Sequence, residues 1–557
     1  MSNHRNTNSK KRVVQAWSET FLEFTQYLLN MMVSLYMLLI LVVLPFYNEE
    51  GYSHIGTDKS TFFRQTAIHC SRIILPIVVV LLGIKLFIYW KEHKGKKWLA
   101  TLGVDLLAYF KKEFSITDYF ALGYGCSIVI AYLGSNYKED ALWGVAGWFM
   151  GLLPQLALVI SYFLIAKCWR RREWLIFLAL PVSAIVFCLG YLNRFNIYPI
   201  DMKIQNVQFI STIGNINWYC GYLMCIFFGG FFLLWQLEWK KRWMKWLLMG
   251  YVAIGYATLV TQGSSSGILT MAVMFLATFF LSARDGRRME AFWELMVLFS
   301  GVCTFTFLLR KTKLLEITYI ETTTELFTNQ IIPIILLGVS LGFWLWVKYC
   351  NQKGRYPQKL FQMLKNIICG GVIVVFVLFV LLLIINTVTN GSIAQMLGRE
   401  QIGFLTFTPD WGSNRGATWT AGVMCFMEQN LLHKLIGAGP DCMSGFLYQE
   451  GSDALVALVK ERFGTATLTN AHNEWLTILV NMGVLGFVSY VGMMTTAIKR
   501  YISSRASHLI AGACGFCLLA YTINNMFSFQ QSMSASTIFI VLAVGESYMR
   551  QKREKRA

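Results

Sequence analysis

The sequence predicts an all-α polytopic integral membrane protein with about 14 transmembrane helices (12–14) and one large, partly helical extracellular loop. Apolar residues make up 55% of the 557 positions and charged residues only 14%, and the mean hydropathy is +0.50. A soluble domain usually carries roughly 25% charged residues. Here the charges gather in short clusters between long apolar runs, which is the layout of a chain that lipid solvates along most of its length.

The formal net charge of +19 fits membrane orientation better than nucleic-acid binding. Most Lys and Arg residues lie in groups that alternate with apolar runs, as the positive-inside rule predicts. A nucleic-acid-binding module would instead gather them on one face. If the basic groups are cytoplasmic, they all fall on one side of the membrane, and both termini are cytoplasmic.

The N-terminal region, residues 1–191, is predicted to be a transmembrane bundle of five spans. Each span ends at a charged or polar cluster, and an interfacial stretch that reaches Lys112 precedes the third. The predicted spans are residues 21–46, 66–90, 116–133, 148–166 and 174–191.

The central region, residues 192–388, is predicted to hold six further spans. It opens with a polar outer segment, residues 193–217, and basic loops separate most of the spans. The predicted spans are one that ends at residue 237, two that form a hairpin around residues 261–267, and residues 291–309, 331–347 and 367–388.

Residues 389–473 form the large outer loop. Helical apolar periodicity occurs at residues 419–432 and 454–463, and the turn Gly437-Ala438-Gly439-Pro440 interrupts it. A loop of this length without structure of its own is uncommon, so we expect it to fold onto the membrane surface. Residues 474–557 then supply a span at 474–498, two more spans and a basic tail at 550–556.

Arginines near the outer loop are the first candidates for binding. A guanidinium matches two phosphate oxygens at once, so several of them favour an anionic ligand such as a lipid pyrophosphate. The alternative is snorkelling, or ion pairing with Glu400, Asp410 or Glu461. The candidates are Arg415, Arg462 and Arg194.

His472 is the candidate general base. It lies where the outer loop re-enters the membrane, and an imidazole with an ordinary pKa accepts a proton at neutral pH. The alternative is an interfacial His that is hydrogen-bonded for structural reasons. No His, Cys and carboxylate cluster has metal-ligand spacing, so we expect neither a metal nor a cofactor.

Asn215 and Asn217 lie at the mouth of the sixth span. Their carboxamides could bind sugar or phosphate oxygens, or they could cap the helix. The run Gly263-Ser264-Ser265-Ser266-Gly267 is similar to an anion-binding nest, although tight turns select the same residues.

Four segments of the chain resemble one bacterial family. The stretch His472-Asn473-Glu474-Trp475-Leu476, continuing to Gly483, resembles the HNxxLxxxxxxG signature of the O-antigen ligase and O-antigen polymerase superfamily. The family's GxGP turn, an Arg-Gly pair with a following Trp, and a TxGNxN segment are similar to further stretches. These are Gly437-Ala438-Gly439-Pro440, Arg415-Gly416 with Trp419, and Thr212-Ile213-Gly214-Asn215-Ile216-Asn217.

The resemblance, which covers about residues 192–494, implies a GT-C-like fold and a metal-independent, inverting glycosyltransferase. Such enzymes move a glycan from undecaprenyl pyrophosphate to an acceptor hydroxyl on the outer face of the bacterial plasma membrane. The acceptor is a glycan, a lipid or a protein, and no nucleic acid takes part.

The resemblance also implies roles for individual residues. His472 would be the base, and Arg415, Arg462 and then Arg194 would bind the pyrophosphate. Asn215, Asn217, Asn473 and Gly439 would contact the substrate. Members of the family often carry Ser-Arg at the hairpin where this chain has Ser265-Ser266, so another arginine must act there or the substrate differs.

The runner-up interpretation is a transporter or flippase of lipid-linked glycans, and the third is a structural or sensory membrane protein. Transporters usually show repeated halves and ionisable groups near the bilayer midplane. This sequence shows no repeat, and its unusual polar residues gather at one surface. The sequence does not separate ligase from polymerase, and it identifies neither the sugar nor the oligomeric state.

Overall fold

Helices account for 77% of the chain, which confirms the all-α prediction. The structure is a computed structural model that describes residues 2–93, 98–313, 316–318, 321–399 and 402–554, without the side chains of 2–19, 99–100 and 551–554. Glu400 and several of the predicted basic residues (Lys94, Lys96, Lys97, Lys555 and Arg556) lie outside the described residues.

The N-terminal region forms seven helices. The third is a 16-residue helix with exposed apolar side chains, at the place of the predicted interfacial stretch. A π-helical turn, Leu39–Val43, extends the first helix. The helices are α1 Ser2–Leu38, α2 Ile55–Glu92, α3 Trp98–Glu113, α4 Ile116–Gly134, α5 Lys138–Trp143, α6 Leu152–Cys168 and α7 Glu173–Arg194.

The central region begins with a short antiparallel pair of strands, β1 (Phe209–Ile210) and β2 (Gly214–Asn215), in which Phe209 faces Asn215. Eight helices follow. They are α8 Ile216–Gln236, α9 Arg242–Thr261, α10 Ser265–Ser282, α11 Gly286–Lys311, α12 Thr322–Thr328, α13 Ile332–Gln352, α14 Gln358–Val388 and α15 Ser392–Met396.

The described residues of the predicted outer loop, 389–473, form five helices, the short α15 and the four helices α16 to α19, and three further helices complete the chain. Helix α19 agrees with the apolar periodicity at residues 454–463. The helices are α16 Trp411–Glu428, α17 Leu431–Ile436, α18 Met443–Gln449, α19 Asp453–Phe463, α20 Glu474–Ser503, α21 Leu509–Asn524 and α22 Ser532–Glu554.

Twelve helices among the described residues are long and apolar enough to cross a membrane. Helices α6 and α21 are apolar but shorter, with 17 and 16 residues. They occupy the positions of the predicted fourth and thirteenth spans. The predicted range of 12–14 therefore contains the observed number.

Helix α8 is the centre of the bundle, and α14 lies at its edge. In the most apolar stretch of α8, 89% of the residues are buried, whereas no residue of the corresponding stretch of α14 is buried. The first end of α14 packs through Phe361 against Phe279 and Tyr356. At its other end, the Asn386 amide bonds Thr406 Oγ1 at 2.9 Å. Leu364, Ile368 and Phe379 make further partly buried contacts, and every residue from 370 to 378 is exposed.

Helix α20 is broken at Gly483, which has φ +61° and ψ −168°. The break leaves the carbonyls of Val480 and Asn481 without their intrahelical donors. Backbone N–H groups of the Gly437–Pro440 turn replace them, because Ala438 N donates to Val480 O at 3.1 Å and Gly439 N to Asn481 O at 2.9 Å. The turn and the break therefore form one unit, which we call the α20 break.

Two buried ion pairs join four helices at the end of the bundle remote from His472. Lys167 Nζ of α6 lies 2.6 Å from Asp118 Oδ2 of α4. Arg500 Nη1 of α20 lies 2.7 Å from Glu546 Oε2 of α22. Arg500 also donates to Thr117 Oγ1 at 2.8 Å, so the two pairs form one network.

Candidate functional site

His472 lies in the short connection between α19 and α20, in a left-handed conformation with φ +48°. Its backbone N–H donates to Asn470 Oδ1 at 2.9 Å, which holds this uncommon geometry. The ring packs edge-on against Phe529, with 5.0 Å between centroids. Burial and, to a smaller extent, the nearby charge of Arg415 lower the pKa of His472 to about 4. The imidazole is therefore neutral at physiological pH and can accept a proton.

Arg415 follows a sharp turn at the start of α16, where Gly412, Ser413 and Asn414 all have positive φ. Its Nε donates to Phe527 O at 3.1 Å. Phe527 and Phe529, the ring partner of His472, are two residues apart in the loop between α21 and α22. One loop therefore holds both the guanidinium and the imidazole.

Arg462 lies on α19 and pairs with the start of α16. Its Nη2 lies 2.5 Å from Asp410 Oδ1, and its Nε donates to Asn414 Oδ1 at 2.8 Å. This is the ion pairing that the sequence left open as the alternative. The contacts hold the turn that carries Arg415, and a direct phosphate contact of Arg462 stays a prediction.

Arg194 is fully buried at the end of α7, with 1% of its surface exposed. Its Nη1 donates to Val207 O at 2.7 Å, and its Nη2 donates to the carbonyl of Gln262. Gln262 opens the hairpin between α9 and α10. The guanidinium therefore lies at the hairpin in which this chain has Ser265-Ser266.

The two asparagines of the predicted GNxN segment have different contacts. Asn215 caps α8, since its side chain accepts from Asn217 N at 2.9 Å. Asn217 Oδ1 accepts from Ser264 Oγ of the hairpin at 3.1 Å. Asn215 is thus the helix cap that was the alternative interpretation, and Asn217 reaches the polar interior. Substrate contact stays a prediction for both.

Asn473 and Gly439 also have structural partners. Asn473 caps α20 by accepting from Leu476 N at 3.1 Å. Gly439 is buried in the α20 break with φ +128°, and a Cβ there would come within 2.3 Å of Ser135 Oγ. These contacts explain why Asn and Gly suit these positions, and a role in substrate binding stays a prediction.

A buried polar network that the sequence interpretation missed connects the hairpin with the His472 segment. Ser266 Oγ donates to Asn524 Oδ1 at 2.8 Å, and Asn524 Nδ2 donates to Asn525 Oδ1 at 2.9 Å. Asn525 Nδ2 in turn donates to Glu474 Oε2, and Tyr521 Oη donates to the same oxygen at 2.9 Å. The adjacent residues Asn524 and Asn525, at the end of an apolar run, could have indicated this network in the sequence. Polar groups at membrane depth need partners.

Aromatic rings surround the His472 and Arg415 segments. Trp148 lies 4.3 Å from Phe529 and 5.7 Å from Trp218, measured between ring centroids. Trp419 lies 5.8 Å from Phe527. Nothing in the sequence pattern separates these rings from lipid-facing aromatics, because their contacts are long-range.

Glu321 contributes a carboxylate near the same site. Its Oε2 is buried and has no hydrogen-bond partner in the described part of the chain. Its charge acts on Arg415, where it raises the pKa of the guanidinium against a larger lowering by burial. Two residues on, Thr323 Oγ1 lies 3.4 Å from Ser265 Oγ of the hairpin. This carboxylate oxygen is therefore available to a ligand.

Within the described ranges, no group of three or more His, Cys, Asp or Glu side chains is placed to hold a metal ion. The site thus combines an imidazole, a guanidinium, a carboxylate and several amides within aromatic walls.

The comparisons with known proteins point to one family. Residues 322–491 match the O-antigen ligase family model, a region that includes Arg415, the α20 break and His472. No curated protein matches the chain significantly. The family match supports a general role in surface-polysaccharide assembly, of the ligase or polymerase type. It also supports an activity of the broad glycosyltransferase kind. Together with the helical membrane fold, the matched region supports the similarity of this chain to the O-antigen ligase-related superfamily.

Proposed function

We propose that this protein transfers a glycan from a polyprenyl-pyrophosphate carrier to an acceptor hydroxyl, by inversion and without a metal ion. The reaction would take place at the outer face of a bacterial plasma membrane, with both termini of the chain cytoplasmic. The observation that carries the proposal is that His472 and Arg415, two residues of the region that matches the family, both contact the loop between α21 and α22.

Arg415 is the main proposed contact for the pyrophosphate. As the bond between the anomeric carbon and the pyrophosphate oxygen breaks, the electron pair moves to the leaving group. A preorganised cation in a site with little water stabilises that developing charge. Arg194, which bonds the hairpin carbonyl of Gln262, is proposed to supply positive potential there in place of the arginine that this hairpin lacks.

His472 is the proposed general base. The acceptor hydroxyl attacks the anomeric carbon on the face opposite to the leaving group, and its proton passes to the imidazole, which later releases it to water. A pKa of about 4 makes the free imidazole a weak base. An opposite charge nearby favours the protonated form, so a bound pyrophosphate would raise this pKa and strengthen the base.

The Glu474 network and Glu321 have supporting roles in this proposal. The amide and hydroxyl bonds to Glu474 fix the first turn of α20 and so orient His472, two residues upstream. The unpartnered Oε2 of Glu321 is proposed to accept a hydrogen bond from a sugar hydroxyl or amide.

A transfer assay tests the proposal. The purified protein in lipid nanodiscs receives the labelled lipid-linked glycan that accumulates in a strain lacking this protein, together with acceptor fractions from the same strain. We expect glycan transfer by the wild type. His472→Ala should lower the rate roughly 10²–10⁴-fold, the usual contribution of a general base.

His54→Ala is the matched control, since His54 lies in an exposed loop with 59% of its side chain accessible. We expect it to keep wild-type turnover. Full activity of folded His472→Ala would remove the base assignment. Vectorial movement of the glycan lipid without transfer would favour a flippase instead.

A further inference from the structure

Helices α2 and α6 stand apart and leave an open apolar groove between them. The groove has a volume of about 450 Å³ and is floored in part by Val33 and Tyr36 of α1. Along α2 it runs from Phe63 to Val78, which is about 22 Å of helix. Only 11% of the most apolar stretch of α2 is buried, so this helix faces lipid along most of its length.

One end of the groove carries a cation. Arg64 lies where the groove approaches Trp143, with its guanidinium carbon 5.2 Å from the Trp ring centroid. Within the described part of the chain, Arg64 makes no ion pair or hydrogen bond and is the only charged residue that lines the groove. A charge that lies beside a membrane span without a partner is costly, which makes Arg64 a candidate for binding an anionic ligand.

A smaller cavity continues from this end. It has a volume of about 90 Å³, shares Phe63, Arg64 and Trp143 with the groove, and adds the hydroxyl-bearing residues Thr57, Ser60 and Thr61. Among the residues that the structure describes, no carboxylate lines this cavity. The two cavities together are amphipathic, with a long apolar trough and a compact polar end that carries one positive charge.

The polar end lies next to the candidate catalytic segment. Phe149 lines the smaller cavity, and its neighbour Trp148 packs on Phe529, the ring partner of His472. A lipid with its phosphate at Arg64 would therefore present whatever it carries close to His472.

We propose that the α2–α6 groove binds a polyprenyl phosphate lipid, with one isoprenoid chain in the trough and its phosphate on Arg64 and the hydroxyls of Thr57 and Thr61. This inference rests on the proposed function, which supplies the carrier class. Arg415 is assigned to the leaving pyrophosphate, so the lipid in this groove is a second one and anchors the acceptor. A single trough suits one chain, whereas a glycerophospholipid must place two.

Photo-crosslinking tests this site without the transfer reaction. The full-length protein in phosphatidylcholine nanodiscs is irradiated with a diazirine-bearing polyprenyl monophosphate, and the labelled peptides are identified by mass spectrometry. We expect labels on α2 and α6. Arg64→Gln should weaken binding on the order of ten-fold, as expected for the loss of a charge-assisted contact.

Two variants act as controls. Arg72→Gln removes the same charge from the same helix at a position that lines neither cavity, and we expect it to bind as the wild type does. Ala157→Phe fills the trough from α6 while keeping Arg64, and it should weaken binding independently of charge. His472→Ala should bind normally, because His472 does not line the groove.

The outcomes separate this inference from the proposed function. Unchanged binding by folded Arg64→Gln and Ala157→Phe, or labels confined to other helices, would overturn the groove assignment while leaving transfer intact. Equal competition by phosphatidylglycerol would overturn the choice of a polyprenyl lipid. Normal groove labelling in a protein that shows no transfer would instead count against the proposed function, and with it against the role as acceptor anchor.

Discussion

His472 and Arg415 both contact the loop between α21 and α22, and the charge of Arg415 acts on the imidazole. Burial and the guanidinium charge both lower the pKa of His472, to about 4. The His472 imidazole is therefore unprotonated across the physiological pH range. Its pKa, and so its strength as a base, depends on which charges lie nearby. The protonation state of the site thus depends on two side chains that are 57 positions apart in sequence.

A pH–rate profile tests this coupling. Loss of activity on the acid side should follow protonation of His472, so kcat/KM should fall as the pH drops through about 4. In Arg415→Gln the repulsion is lost, the pKa of His472 rises, and the acid limb should move to higher pH. Arg415→Lys keeps the charge, so the limb should stay while the rate falls about ten-fold with the loss of bidentate geometry. An unmoved limb in Arg415→Gln would contradict the coupling.

The sequence indicated these two residues as candidates through their types and positions, and their site roles stay predictions; it did not indicate their common contact, the loop between α21 and α22. Phe527 and Phe529 lie in a loop that follows the apolar helix α21, and no local pattern distinguishes their backbone carbonyls and rings from others. Arg462 shows the opposite case. Its pairing with Asp410 was one of the two interpretations left open. The sequence does not distinguish an arginine that pairs with a carboxylate from an arginine that binds a ligand.

At the scale of elements, the α20 break positions the first turns of α20, which follow His472, the proposed base. Gly483 adopts a conformation that residues with a Cβ rarely take. A Cβ there would also lie 2.4 Å from the carbonyl of Leu435. The first turns of α20 therefore leave the axis of its second part, and they carry Asn473 and Glu474 toward the polar network.

Gly483→Ala should displace this half-helix. We expect a loss of roughly 1–3 kcal/mol of stability from the backbone strain alone, together with a strong loss of transfer. Differential scanning fluorimetry in detergent and the transfer assay would measure both. Gly250→Ala is the control, since that helical glycine has open space around it and Ala favours helix. A Gly483→Ala protein as stable and active as the wild type would refute the positioning role.

Asp441 fastens the Gly437–Pro440 turn to the connection between α5 and α6. Its Oδ2 accepts from Val145 N at 2.9 Å and from Met150 N at 3.1 Å. Burial nevertheless raises the pKa of this carboxyl to about 7. The group is therefore buried more favourably as the neutral acid than as the anion.

Whether stability rises or falls with pH follows from how many protons the folded and unfolded states bind. The unfolded carboxyl ionises near its ordinary pKa of 3.8, whereas the folded one retains its proton up to about 7. The folded state thus binds more protons between these values, and stability should fall as the pH rises through that window. Asp441→Asn should remove this slope in thermal melts recorded from pH 4 to pH 8. The exposed Asp201→Asn variant should keep it, and an unchanged slope in Asp441→Asn would contradict the assignment.

At the scale of the whole molecule, the positions of the helices were predictable but their packing was not. All 14 predicted spans coincide with helices, because apolar runs between charged clusters are a strong signal. Central and peripheral helices are hard to separate, since lipid and protein interior are equally apolar. The one available signal was that α14 contains the most apolar stretch among the candidate spans of the described residues, which agrees with the absence of buried residues in that stretch.

The ion-pair network remote from His472 joins α4, α6, α20 and α22 into one body. Breaking a buried pair leaves the other charge uncompensated, which costs roughly 3–5 kcal/mol. Arg500 keeps 23% of its side chain exposed, so we expect Arg500→Met to cost about 2–3 kcal/mol. Adding Glu546→Leu should recover part of this loss. Unfolding in mixed detergent micelles would measure it.

The exposed pair between Arg287 and Glu238, with 61% and 66% of the side chains accessible, is the control. Glu238→Gln should leave stability unchanged, because exposed pairs contribute little. Equal effects of Arg500→Met and Glu238→Gln would show that the buried network does not hold the bundle together.

Helix α14 has a mechanical consequence. Its 31 residues measure about 46 Å along the axis, against a hydrocarbon thickness of about 30 Å. A helix of that length, without neighbours over its middle, must tilt or project from the bilayer. Its far end is bonded to the segment that leads into α16 and Arg415. Thickening or thinning of the membrane would therefore change the tilt of α14. A change in tilt would move that segment relative to the membrane surface.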